Sequence, residues 1–240
     1  MQASRLFPLP LDGGGPGWGW LSPHRDHDMT PRRYDYLRDP KAIYRQSFDI
    51  VRREADLSRV PDDLHPLALR IVHACGDPNI VANLAWSDGA AAAGRAALAA
   101  GASILCDTRM VETGIIHVHL PESNRLICTL TDPRVADLAS GLDTTRSAAA
   151  VELWQGMLAG AVVAIGNAPT ALFHLLEGLA AGWPQPALIL GFPVGFVGAA
   201  ESKEALIADA GGIPYVTLRG RLGGSAIAAA AVNALAGDGG

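Results

Sequence analysis

The sequence predicts an α/β domain of three layers, in which a mostly parallel five-stranded sheet lies between two layers of helices. Five short apolar runs predict the strands, and helical patterns follow most of them. The runs are SILC (103–106), RLICTL (125–130), AVVAI (161–165), ALIL (187–190) and PYVTL (214–218). Strands that alternate with helices form parallel β-α-β units in a sheet covered on both faces. Ligands of such sheets lie beyond the carboxyl ends of the strands, so the loops after the strands are candidate sites.

The helices are predicted from apolar periodicity. Between 40 and 55 one face carries an apolar stripe that Ser47 interrupts. A plainer stripe runs from Leu64 to Cys75, where Gly76 supplies a stop, and an alanine-rich helix covers 88–100. Further helices follow the strands, at 146–158, 168–180, 200–209 and 224–236.

The first 33 residues differ from the rest of the chain. They contain three successive glycines, four prolines by position 23, and no helical or strand period. We interpret 1–33 as a disordered leader and 34–240 as a single domain. Met29 precedes the first patterned segment and is an alternative translation start.

Composition excludes several classes of protein. The 240 residues are 49% apolar and 18% charged with a net charge of −5, which gives no support for nucleic-acid or membrane-surface binding. No apolar stretch is long enough to cross a membrane, and no secretion signal is evident. Cys75, Cys106 and Cys128 are scattered, which is typical of reduced core thiols in a cytoplasmic protein.

Three loops after predicted strands are rich in glycine, which indicates an anion site. They are Gly166–Thr170, Gly191–Gly195 and Arg219–Ser225. Glycine lets the backbone approach a ligand, and each following helix presents free N–H groups. Glycines that only form tight turns are the alternative. None of the loops has a nucleotide-binding fingerprint.

Arginines at the same edge suggest the chemistry of the anion. Arg146 opens a helix just after Thr145, while Arg219 and Arg221 lie in the last glycine loop. Guanidinium groups bind carboxylates in a bidentate way, so a ligand with several carboxylates would fit. Solvated surface arginines are the alternative.

His73 is the candidate acid. It lies in the last turn of the helix that ends at Gly76, and a helix C-terminus favours the imidazolium form. A protonated histidine in an apolar pocket can act as a general acid, although a helical histidine can also be structural. His117 and His119 alternate with apolar residues, which predicts a strand with one polar face; no third ligand is near, so we predict no metal site. The sequence has no nucleophile elbow, which argues against hydrolysis.

At these residues the chain resembles the precorrin-8X methylmutase family, from Tyr34 to about Ala236. The shorter matching segments are Tyr34–Tyr36, Ala42–Tyr44, Ser47–Phe48, Ala55–Arg59, Val72–Gly76 and Thr145–Ala149. The longest and most specific runs are AIGNAPTAL (164–172), PVGFVGAAESK (193–203) and RGRLGGS (219–225).

The resemblance implies a cytoplasmic isomerase with a flavodoxin-like fold that works as a homodimer without a cofactor. Such an enzyme moves a methyl group within ring C of precorrin-8X and forms hydrogenobyrinate. His73 matches the catalytic acid of the family, and Ser47 and Arg146 match substrate contacts. To these we add, from the loops that should hold the carboxylates, Thr145, Asn167, Gly195, Arg219 and Arg221.

Three alternatives stay open. The cobalt-precorrin-8 methylmutases of the oxygen-independent pathway share the same motifs, and we favour the metal-free substrate from the wording of the motifs. A corrinoid carrier without catalysis would tolerate loss of His73. A flavin or nucleotide-binding protein is suggested by the fold class alone, which is a weak guide to function.

Overall fold

The computed structural model describes residues 33–121 and 123–237. The predicted leader, except for Arg33, and the alternative start at Met29 lie outside the described residues. The chain divides after Leu37 into a short N-terminal unit and a compact unit that starts at Arg38. The helices and strands described here belong to the second unit.

A sheet of six strands runs through the described part of this unit. The strands are β1 (Leu84–Trp86), β2 (Ile104–Cys106), β3 (Leu126–Cys128), β4 (Val162–Ile165), β5 (Leu188–Gly191) and β6 (Tyr215–Leu218). Their order across the sheet is β1-β6-β5-β4-β2-β3, and β2 to β6 are parallel. Counted from β2, the parallel strands have the flavodoxin order 2-1-3-4-5. The predicted fold class is therefore confirmed.

The predicted number of five strands was wrong because of β1. This strand pairs antiparallel with β6 at the edge of the sheet, with Leu84 opposite Leu218. Its apolar run is only three residues long and follows directly on the 3₁₀ helix Pro78–Asn83, so the pattern does not distinguish it as a strand.

Nine helices of the described residues surround the sheet. They are α1 (Pro40–Glu54), α2 (His65–Cys75), α3 (Ala90–Ala99), α4 (Arg109–Gly114), α5 (Val135–Gly141), α6 (Arg146–Glu152), α7 (Pro169–Ala180), α8 (Ala199–Asp209) and α9 (Ser225–Ala236). The short helices α4 and α5 were not predicted. The helix predicted at 146–158 ends at Glu152 and continues as a 3₁₀ turn at Gln155–Met157.

Local sequence explains where the helices nearest the site begin and end. Asp39 caps α1 by accepting from the N–H of Lys41, and Pro40 occupies the first turn. Gly76 ends α2 in the left-handed conformation, with φ of 69°. Thr145 caps α6 through the N–H of Ala148.

Side chains of the sheet alternate between two cores. On β4, Val162 and Ala164 join the core that contains α2, α3 and α9, whereas Val163 and Ile165 join the core of α7 and α8. Helix α9 packs between the sheet and α2, and its residues from 227 to 235 are all buried. Because most of these residues are alanines, α2 can approach the sheet closely.

Two predictions about particular residues were wrong. His117 and His119 lie in a 3₁₀ helix, His117–His119, and not in a strand, because the segment follows directly on α4 and finds no strand to pair with among the described residues. Cys75 is exposed at the end of α2, whereas Cys106 is buried and Cys128 half-buried as expected of core thiols.

Asp107 holds the loops of the carboxyl edge together. It follows β2, its residue is 2% exposed, and its carboxylate accepts from the N–H groups of Gly166, Asn167 and Ala168 at 3.0, 2.9 and 2.9 Å. Burial raises the pKa of Asp107, and the hydrogen bonds oppose that rise. One carboxylate therefore satisfies three N–H groups at the turn from β4 into α7.

The hydrogen bonds continue from this loop to the next two. Val194 donates to the carbonyl of Asn167 at 3.4 Å, and Gly195 donates to the carbonyl of Arg221 at 3.3 Å. At Gly223 an added Cβ would lie 2.3 Å from the Phe192 carbonyl oxygen, so only glycine fits this contact. The three glycine-rich loops therefore form one connected surface, called here the loop edge (Gly166–Thr170, Gly191–Gly195 and Arg219–Ser225).

We predict that Asp107→Asn destabilises the protein by about 2 kcal/mol, because an amide NH₂ group must then face backbone N–H donors. Urea unfolding followed by circular dichroism measures the change. Asp88→Asn is the matched control, since Asp88 is an exposed turn residue. Equal unfolding midpoints for the two variants would contradict the role given to Asp107.

Candidate active site

Helices α1 and α2 bring Ser47 and His73 together. The Ser47 hydroxyl lies 2.9 Å from Nδ1 of His73, although the two residues are 26 positions apart. The serine that interrupts the apolar stripe of α1 is therefore the partner of the candidate acid. This contact joins two of the residues that the sequence selected.

Aromatic side chains of α1 fix the plane of the histidine ring. The Phe48 ring stacks on His73 with centroids 4.8 Å apart and an angle of 21°, and Tyr44 lies 6.3 Å from His73. The residue His73 is nevertheless exposed. In the imidazolium form the ring donates from Nδ1 to the Ser47 hydroxyl, and its second proton is on Nε2, which has no hydrogen-bond partner among the described residues. A ring held in this way can donate a proton from Nε2 to a ligand that covers it.

Arg70 belongs to the same group and was missed by the sequence analysis. It lies one turn before His73 on α2, is 9% exposed, and donates from Nη2 to the Tyr44 hydroxyl at 3.2 Å. Its Nε has no partner in the described part of the chain. The available signal was an arginine on an otherwise apolar helix, three residues before the histidine.

A shallow depression of about 170 Å³ lies beside the Ser47–His73 pair. Pro78 lines this depression and also a larger groove of about 440 Å³, which reaches Arg59 and Trp86 on the edge strand β1. The site around His73 is therefore open and continues toward β1, which suits a broad ligand better than a small one.

Arg221 presents a guanidinium group on the loop edge. Its Cζ lies 5.3 Å from the centroid of the Phe196 ring, and it forms no ion pair within the described residues. The backbones of Asn167 and Gly195 lie in the same hydrogen-bonded surface, as predicted from their loops. Arg221 is thus available to a carboxylate ligand.

Arg219 differs from Arg221 because it already has a partner. Its Nη1 lies 2.5 Å from Glu204 of α8, and its backbone N–H donates to the carbonyl of Asn83 at 2.7 Å. The second contact connects the loop edge to the segment that follows α2. The Ser47–His73 pair and the loop edge therefore lie at the same, carboxyl edge of the sheet.

Thr145 and Arg146 lie at the other end of this edge. The Thr145 hydroxyl is 2.8 Å from that of Thr170 in the first turn of α7, and Arg146 donates to the carbonyl of Leu130 at 3.3 Å. Both residues are exposed. No hydrogen bond or ring contact between described residues joins the Ser47–His73 pair to Arg146 or Arg221, so a ligand must bridge them if all act together.

Lys203 is a second residue that the sequence analysis missed. It is fully buried on α8, and its Nζ donates to the carbonyl of Leu222 at 2.5 Å. Burial lowers the pKa of Lys203 to about 8. Nothing in the helical pattern marked this lysine, because its partner lies in another element.

Two features are absent from the described residues, a metal-binding cluster and a membrane-spanning helix. Residues 33–121 and 123–237 contain no group of three or more His, Cys, Asp or Glu side chains that could hold a metal ion. In the same ranges no helix combines the length and the apolar character needed to span a bilayer.

Comparison with known proteins identifies relatives of the whole domain. The family model for precorrin-8X methylmutase matches residues 42–237. A precorrin-8X methylmutase of Pseudomonas aeruginosa is 64% identical over 84% of this chain and 97% of its own. One from a Sinorhizobium species is 57% identical over 85% of this chain and 97% of its own. Relatives named cobalt-precorrin-8 methylmutase are between 31% and 38% identical.

A solved structure agrees with this result. The precorrin-8X methylmutase of Thermus thermophilus superposes with a TM-score of 0.74 at 40% identity, over 81% of this chain and 94% of that one. The family model covers most of the chain, and the relatives match along nearly their full length. The chain therefore belongs to the precorrin-8X methylmutase family.

Proposed function

We propose that the protein converts precorrin-8X to hydrogenobyrinate by moving a methyl group within ring C of the macrocycle. The observation that carries this proposal is the Ser47–His73 pair, with 2.9 Å between the hydroxyl and Nδ1. It supplies an oriented proton donor at an open, partly aromatic surface. The family to which the chain belongs supports the same reaction.

The metal-free macrocycle is the proposed substrate. Two relatives named precorrin-8X methylmutase are 64% and 57% identical, whereas the relatives compared above that are named for the cobalt-bound substrate are at most 38% identical. A carrier without catalysis would need no oriented acid, so the fixed ring of His73 favours an enzyme.

The proposed mechanism is acid-assisted migration. His73 gives a proton to the macrocycle, the methyl group shifts between adjacent ring carbons, and the proton returns, so the atoms balance without a co-reactant. Ser47 holds the ring of His73 through Nδ1, and Phe48 fixes its plane. Such a rearrangement depends on a positioned proton and on exclusion of water.

The carboxylates of the substrate are the proposed ligands of the loop edge and of α6. Arg221 and Arg146 have no ion pair among the described residues and can bind carboxylates directly. The remaining proposed contacts are the hydroxyl of Thr145, the backbones of Asn167 and Gly195, and Arg219 if it shares its guanidinium group with Glu204.

We further infer a single domain over 34–240 that acts as a homodimer in the cytoplasm. The family match over 42–237 supports one domain. Phe196 and Val197, 85% and 88% exposed, leave an apolar tip just after the Gly191–Gly195 loop that a second copy could cover. Three cysteines scattered along the sequence are typical of reduced thiols, which supports a cytoplasmic location.

We predict that His73→Asn lowers kcat by roughly 10²–10⁴-fold, because the general acid is lost. Ser47→Ala should lower it by roughly tenfold, because the ring loses the hydrogen bond that orients it. Conversion of purified precorrin-8X, followed by absorption spectroscopy, measures both effects. His117→Asn is the control, since His117 is exposed and outside the site. Wild-type kcat in His73→Asn would make His73 structural, whereas binding without turnover in the wild-type protein would support a carrier.

We predict that Arg221→Met raises KM about tenfold or more with a small change in kcat, since a charge-assisted hydrogen bond contributes about 1.5–3 kcal/mol. Arg125→Met provides the control because Arg125 is an exposed arginine just before β3, at the opposite edge of the sheet. Equal KM values for the two variants would remove Arg221 from the substrate site.

Sedimentation equilibrium should give twice the chain mass of 25.0 kDa if the homodimer forms. A single-chain mass across micromolar concentrations would disprove the dimer and leave the catalytic proposal intact.

A further inference from the structure

Lysine is rare in this protein, and one of its lysines is buried. Lys41 and Lys203 are the two lysines among 19 Lys and Arg residues. Lys41 lies exposed in the first turn of α1, whereas Lys203 has 0% exposure on α8. An ammonium is strongly hydrated, so burying one carries a free-energy cost that something must offset.

The contacts of Lys203 show what offsets the cost of burying its ammonium group. Its Nζ donates to the carbonyl of Leu222, 2.5 Å away, at the centre of the loop that carries Arg219 and Arg221. The same loop is tied on its other side, because Gly224 donates to the carbonyl of Phe192 at 2.9 Å. The ammonium group therefore holds the Arg219–Ser225 loop from the side of α8.

No carboxylate balances this buried charge within the described residues. The neighbouring Glu204 pairs with Arg219 and does not reach Lys203 within ion-pair distance. A lysine suits the position better than an arginine, because a compact point charge can meet one carbonyl oxygen, while a planar fork needs several acceptors. The charge adds positive potential below a loop that already carries two arginines.

We propose that Lys203 is a positioning residue: its ammonium holds the loop of Arg219 and Arg221 in place for an anionic substrate, and the bound carboxylates in turn stabilise its charge. This inference rests on the proposed function for the identity of the anion. The coupling is reciprocal, since a ligand that favours the charged lysine must bind better when the lysine is charged.

Helix α8 and the elements that pack against it, α7 and β6 with its loop, carry the ionisable groups that bear on Lys203. Besides Lys203 itself they are Glu201, Glu204 and Asp209 on α8, His174 and Glu177 on α7, and Tyr215, Arg219 and Arg221 on β6 and its loop. Burial lowers the pKa of Lys203 to about 8, and the charge of Glu204 acts in the opposite direction. His174 lies 2.7 Å from Glu152 and 3.8 Å from Glu177, and Glu204 pairs with Arg219.

The sign of the pH dependence follows from these charges. Above about pH 8 the free protein loses the proton of Lys203, whereas bound carboxylates raise its pKa and retain the proton. Affinity for the anion is therefore constant below pH 8 and falls above it, by at most tenfold per pH unit.

The direct test needs no variant. Protein labelled with ¹⁵N at the lysine Nζ has two lysine signals, of which exposed Lys41 is the internal reference. We expect Lys203 to titrate near pH 8 in the free protein and higher with hydrogenobyrinate bound, while Lys41 is unchanged. A Lys203 signal that titrates with that of Lys41, or that does not shift on binding, would overturn the proposal.

The second test compares Lys203→Met with Lys41→Met. We expect KM for precorrin-8X to rise about tenfold in Lys203→Met with kcat changed less than about threefold, and its KM to lose the rise above pH 8. Lys41→Met should behave as wild type. A fall in kcat at constant KM, or an unchanged pH profile, would show that Lys203 only supports the fold.

Trypsin separates this inference from the proposed function. The loop contains two cleavage sites, after Arg219 and Arg221, which Lys203 should protect. Faster cleavage there in Lys203→Met supports the positioning role even if wild-type protein does not convert precorrin-8X, an outcome that would refute only the function. Equal cleavage would refute the positioning role whatever the reaction.

Discussion

The carboxyl edge of the sheet depends on one buried carboxylate. Three parallel strands, β4, β5 and β6, end here in loops rich in glycine, and such loops leave backbone N–H groups without partners in helices or strands. Asp107 satisfies three of them at the turn into α7. Because that turn then bonds to the loop of Val194, and Gly195 to the loop of Arg221, the carboxylate organises a surface far larger than its own contacts. The glycines allow the loop backbones to approach one another closely, and the hydrogen bonds of Asp107 fix the conformation of the first loop.

The proposed proton donor, His73, is organised independently of that surface. It lies on α2, and its neighbours come from α1, where Ser47 contacts Nδ1 and Phe48 stacks on the ring. The link between the two parts is short: the segment after α2 ends at Asn83, and the Asn83 carbonyl accepts a hydrogen bond from the backbone N–H of Arg219. An acid and an anion surface built separately can face one ligand only if that ligand is broad, which agrees with a macrocycle fringed by carboxylates.

The sequence predicted what depends on local pattern and missed what depends on distant partners. The buried strands, the helices that follow them and Ser47 were visible because apolar periodicity is local. Strand β1 was missed because it is only three residues long and follows directly on a 3₁₀ helix. His117–His119 were assigned to a strand because alternation over five residues also fits a 3₁₀ turn. Asp107 and Lys203 carry no local signal, since their partners lie 59 and 19 positions away.

Exposure of His73 has a consequence for how water is excluded. In the chain itself the ring is open to solvent, so the dry surroundings that favour proton transfer must come from whatever covers α1 and α2. In the proposed function the macrocycle is itself a broad apolar lid, and the carboxylates that bind the arginines lie at its rim, away from the reacting carbons. The protein then needs to position only the Nε2 proton of His73 and the carboxylates that bind the arginines. The substrate itself forms the rest of the cavity wall.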